Sequence, residues 1–109
     1  MATGVIYLGH DNVVTLLFLD GEEAVDLSAM TKIAVKISSI EKNSVDDDDL
    51  FDLTEKADGK IGLKFGSLTT LPEETFDIRV IIYDAVNDDG IVWVHEDNTI
   101  PLKLKVIKD

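Results

Sequence analysis

Apolar and polar residues alternate along almost the whole chain, and almost nowhere do apolar residues recur with a helical period. Val14, Leu16 and Phe18 alternate with Thr15, Leu17 and Leu19. Ile33, Val35 and Ile37 alternate with Lys32, Ala34, Lys36 and Ser38, and Ile61, Leu63 and Phe65 with Lys60, Gly62 and Lys64. Phe76, Ile78, Val80 and Ile82 form one face of a further run, with Asp77 and Arg79 opposite. Ile100, Leu102, Leu104 and Val106 alternate with Pro101, Lys103 and Lys105. Period two puts successive side chains on opposite faces of an extended chain, so each run predicts a strand with one buried face. The pattern predicts seven strands, at 4–8, 12–19, 31–38, 60–65, 75–84, 90–96 and 99–107. Pro101 has no N–H to give to a ladder, so the last strand begins there or runs along an edge.

Turn chemistry separates these runs. "LDGEE" at 19–23, "ADGK" at 57–60 and "NDDG" at 87–90 supply the Asp, Asn and Gly residues that tolerate tight reversals. "DLSAM" at 26–30 is compatible with one helical turn capped by Asp26 or Ser28, and Pro72 makes "LTTLPEE" at 68–74 a corner. The segment 40–59 is acidic and expected to be irregular, with "LFDL" inside it as a short edge strand. The expected fold is all-β, a two-sheet antiparallel sandwich of immunoglobulin-like type in one domain spanning 1–109, with an open barrel as the other architecture.

Composition narrows the function classes. There is no Cys, which removes disulfides, thiol nucleophiles and thiolate metal sites. The first residues lack the basic and apolar regions of a secretory signal, and "VVTLLFL" is too short to span a bilayer. The net charge is −12, and residues 40–59, with eight acids and two lysines, hold half of it. Residues 98–109 carry three lysines and one acid. No basic cluster of the size that neutralises phosphates is visible in the sequence, so neither nucleic acid nor a membrane surface is expected as a partner.

The candidate chemistry is acidic. Asp46, Asp47, Asp48 and Asp49, with Asp52 and Asp58 nearby, offer oxygen ligands for calcium, but without the alternating spacing of a calcium loop; the competing reading is a solvated loop. "DAVNDDG", at 84–90, is a cation loop or the turn of a hairpin between two apolar runs. His10 and His95 are the only histidines and have no metal spacing. Serines 28, 38, 39, 44 and 67 carry no nucleophile-elbow signature, so no catalytic residue, metal or cofactor is expected.

Three runs are apolar on both faces. Leu17 and Leu19 stand opposite Val14, Leu16 and Phe18, Ile81 and Tyr83 opposite Val80 and Ile82, and Ile91 and Trp93 opposite Val92 and Val94. An isolated sandwich would leave part of the set Leu17, Leu19, Ile81, Tyr83 and Trp93 exposed, which soluble monomers tend to avoid. These five residues are therefore the candidate partner-binding set, with Tyr83 and Trp93 as anchors.

The order "DGEEAVDLSAMTKIAVKI", "DGKIGLKFG", "LPEETFDIRVIIYDAVNDDGIVW" resembles the small β-domains of tailed-bacteriophage structural proteins, in particular the N-terminal domain of siphophage upper-baseplate proteins. The resemblance runs from about residue 5 to residue 95, and the acidic insert at 45–52 departs from it. It implies an immunoglobulin-like, non-enzymatic virion module made in the host cytoplasm: a tail, baseplate or capsid-decoration component, assembled or oligomeric, docking on other virion proteins. It supplies no catalytic residues. The rival expectation from the Asp loops is a calcium-dependent module for a cell surface or carbohydrate.

Overall fold

The alternating runs fold into strands. The computed structural model describes residues 3–20, 22–92 and 103–108. Among them are eleven strands: β1 Thr3–Leu8, β2 Val14–Leu17, β3 Leu19–Asp20, β4 Glu23–Ala24, β5 Met30–Ile37, β6 Ile40–Asn43, β7 Phe51–Asp52, β8 Lys60–Leu63, β9 Thr75–Asp84, β10 Ile91–Val92 and β11 Lys103–Lys108. No α-helix occurs among the described residues; three 3-10 turns, at 48–50, 56–58 and 65–67, join the strands. The expected strands at 90–96 and 99–107 are described only as β10 and β11, and Ile100, Pro101 and Leu102 lie outside the described residues.

A six-stranded sheet has the order β1–β11–β9–β5–β6, with β10 also beside β9, and a second sheet has the order β2–β8–β7. β3 and β4 form a small hairpin. β5 lies along one edge of β9 from Ile78 to Asp84, so β10 and β11 share the other edge, at Ile81–Ile82 and Thr75–Asp77. Both sheets contribute to one core, as in a β-sandwich. Leu16, Phe18, Ile61 and Leu63 of the smaller sheet and its continuation meet Ile33, Val35, Ile37 and Leu104 of the larger, all fully buried. Phe51 and Phe65 pack edge to face, with ring centroids 5.9 Å apart.

Three expectations are corrected. The sandwich is mixed rather than purely antiparallel, because β1 runs parallel to β11 from Thr3↔Lys103 to Leu8↔Lys108. Parallel neighbours need a long connection, and here the rest of the domain provides it. Residues 26–30 make no helical turn: the Asp26 carboxylate accepts the Ser28 N–H at 2.9 Å, and the Met30 N–H donates to the Leu27 carbonyl. The segment 40–59 is less irregular than expected: β7, within "LFDL", is the short edge strand foreseen there, but β6, paired with β5, was not expected.

The run Asp46–Asp49 has a structural task at the edge of the larger sheet. The Ser44 N–H donates to the Ile33 carbonyl, which makes 33/44 a bonded pair of the β5–β6 ladder. Bonded and non-bonded pairs alternate, so the N–H and C=O of Asn43, opposite Ala34, point away from β5 toward the open edge. Asp47 takes both: its carboxylate accepts the Asn43 N–H at 3.1 Å, and its own N–H donates to the Asn43 carbonyl at 2.9 Å. The Asn43 side-chain oxygen in turn accepts the N–H groups of Val45 and Asp46. Lys42 stands 3.8 Å from the other Asp47 oxygen. A charged turn that occupies edge donors and acceptors blocks pairing with a foreign strand.

Candidate partner-binding face

β9 turns Ile78, Val80 and Ile82 into the core and Asp77, Arg79, Ile81 and Tyr83 to the other face. Register then fixes their neighbours. Ile81 lies between Ala34 of β5 and Val92 of β10, and Tyr83 lies opposite Lys32. The Lys32 ammonium sits 4.3 Å from the centre of the Tyr83 ring, a cation–π contact worth about 0.5–1 kcal/mol in an exposed setting. Beneath the ring is Gly90. A Cβ on Gly90 would lie 2.7 Å from Tyr83 Cε2 and 2.6 Å from Ile81 Cγ2, so the missing side chain is the space the ring and Ile81 fill. Tyr83 is thus held between a lysine and a glycine before any partner arrives.

The loop that delivers Gly90 is closed on itself. Asp84 accepts the Val86 N–H at 2.9 Å and the Asn87 N–H at 2.7 Å, and its carboxylate also receives the Asn87 side-chain amide. The Gly90 N–H donates to the Asn87 carbonyl, and Gly90 has φ 85°. "DAVNDDG" is the turn of the β9–β10 hairpin. The Asn87 N–H and side chain, with the Val86 N–H, hold the Asp84 carboxyl below its ordinary pKa. The Thr54 hydroxyl and N–H do the same for Asp52, and Ser28 does so for Asp26. Among the described residues no three His, Asp or Glu side chains converge as a cation site.

The predicted partner-binding residues divide between the sheets. Ile81 and Tyr83 come together on the outer face of the larger sheet. Leu17 and Leu19, half-buried on β2 and β3, belong to the opposite side of the core, with Leu17 facing Lys60 in register and Leu19 facing Ala24. Trp93 lies outside the described residues. Ile81 is only 8% exposed, covered by its own neighbours, whereas Ile91 and Val92 are 46% and 45% exposed. On the outer face the apolar area beside Ile81 and Tyr83 is therefore extended by Val92, opposite Ile81, whereas Ile91, opposite Ile82, is turned to the other face of the strand.

A separate open groove is lined by His10, Asp11, Asp49, Leu50, Lys64 and Ser67. It gathers His, Asp and Ser side chains from the end of β1 and the 3-10 turns at 48–50 and 65–67. Gly66 lets that last turn approach β1: a Cβ there would collide with the carbonyls of His10 and Tyr7. The Gly9 N–H donates to the Gly66 carbonyl at 2.8 Å, tying the turn to the end of β1.

Set against known proteins, the chain matches no family model, no curated protein and no solved structure.

Proposed function

We propose that the chain is a non-enzymatic structural domain of a tailed-bacteriophage virion, an immunoglobulin-like sandwich that docks on other virion proteins. The observation that carries the docking role is the Tyr83 clamp: an aromatic ring fixed between Lys32 and Gly90, on the same face as the exposed Val92. Pre-ordered aromatic side chains suit interface anchors because little conformational freedom is lost on binding. The order of "VDLSAM", "DGKIGLKFG" and "VIIYDAVNDDGIVW" supports the virion assignment through its resemblance to baseplate β-domains.

Gene neighbourhood tests the assignment. Portal, capsid or tail genes beside the coding gene would support it, and a neighbourhood of metabolic genes would defeat it. The docking role is tested by Tyr83→Ala in particles that carry the chain. It is expected to weaken incorporation by about 2 kcal/mol or more, while the free domain keeps a cooperative melt. Undiminished incorporation would remove Tyr83 from the interface.

A further inference from the structure

The outer face of the larger sheet has a charge opposite to that of the protein. Register places Lys32 and Lys36 of β5, Arg79 of β9, and Lys103 and Lys105 of β11 on this one face. That is five of the chain's ten Lys and Arg residues. The acids in register on the same face are Asp77, which lies 3.7 Å from Lys103, and Glu41, opposite Lys36. Lys36 and Arg79 stand directly opposite one another. Like charges in that position repel across a sheet and lower its stability. Both are exposed and, with Ser38 and Asp77, line a shallow hollow. Toward Ile81 and Tyr83 the face becomes apolar.

The complementary surface lies on the same chain. The turn at 44–49 carries Asp46, Asp48 and Asp49, all exposed, and Val45, an apolar side chain 64% exposed at the head of the run. An acidic turn led by one apolar residue matches a basic hollow bordered by an apolar patch in both charge and polarity. The net charge of −12 does not forbid this contact. The Debye length at physiological salt is about 8 Å, so distant like charges are screened while ion pairs in contact are not lost.

We infer that the basic half of this face, centred on Lys36 and Arg79, binds the acidic 44–49 turn of a second copy of the chain. The contact joins unlike patches, so it builds either a reciprocal pair or a head-to-tail series. It rests on the reading of this sheet face as a docking face and names an occupant for its basic half.

The test uses the purified chain alone, by sedimentation velocity over a wide concentration range at about 0.15 M salt, where the Debye length is about 8 Å, and at about 1 M, where it is about 3 Å. Association is expected at low salt and loss of it at high salt. Lys36→Glu with Arg79→Glu should abolish association, as should Asp48→Lys with Asp49→Lys, with each variant still melting cooperatively. Mixing the two variants should restore a complex, because one keeps the acidic turn and the other keeps the basic face. If the charge-reversed face disturbs folding, Lys36→Gln with Arg79→Gln should weaken association about tenfold or more, equivalent to about 1.4 kcal/mol. A wild-type chain that stays monomeric throughout, or a mixture that does not associate, overturns the self-contact. Neither result touches docking on other proteins, which is read separately through Tyr83→Ala.

Discussion

Gly90 carries two demands at once: a φ of 85° and an empty space beneath Tyr83. Gly90→Val meets neither. A branched side chain resists positive φ at a cost of about 2 kcal/mol, which in a domain of this size lowers Tm by about 10 °C. Asp88→Asn with Asp89→Asn, in the same turn, should change stability by no more than about 0.5 kcal/mol, as is usual for exposed substitutions. Thermal melts of the two variants distinguish a turn from a ligand loop, and the reverse ranking would restore the loop as a site. Asp84 differs from its neighbours because its carboxylate organises the turn. Its folded pKa lies below the unfolded one, so its stabilisation is complete above the ordinary carboxylate pKa and disappears as pH falls through the depressed value. Asp84→Asn is therefore expected to melt below the wild type at neutral pH, with the gap closing on acidification. A gap that widens in acid would contradict the assignment.

At the scale of elements, β6 and its acidic turn act as one unit. Asp47→Ala leaves the outward N–H of Asn43 without its acceptor and opens part of the sheet edge. The expected outcome is a loss of about 1 kcal/mol and faster aggregation on heating, measured by light scattering. Asp47→Asn, which keeps an acceptor, should restore most of both, and Asp48→Ala should do little. β6 also shows where the sequence ran out. β9 was legible because Phe76, Asp77, Ile78, Arg79 and Val80 alternate, the apolar β-formers run on to Tyr83, and turn residues bound the run on both sides. "IEKN" has one apolar residue, and the turn before it contains no Gly; Ser38 takes the positive φ of 57° instead. Strand pairing there is settled by backbone bonds and by Ser44, whose hydroxyl accepts the Ile33 N–H, none of which alternation records. The outer face was half legible for a related reason. Two-sided apolar runs flagged Ile81 and Tyr83 as well as Leu17 and Leu19, but only strand order separates the pairs onto opposite sides of the core.

For the molecule as a whole, the pairing of β1 with β11 closes the larger sheet. Leu104 is fully buried and Val106 nearly so. Leu104→Ala is expected to cost about 3 kcal/mol, a large share of the 5–15 kcal/mol that typically holds a domain together. Because the closing contact is the most distant in sequence, the loss should appear mainly as faster unfolding in stopped-flow traces. A purely slower folding rate would place β11 in the nucleus instead. The same closure has a consequence for biosynthesis. Ile6 meets Val106, one hundred positions later. At about 5–20 residues per second, β1 waits on the order of ten seconds at the ribosome for its neighbour to be made. Through that interval Ile6 and Leu8 lack the neighbour they pair beside, so among the described strands β1 is the one that waits longest for its partner.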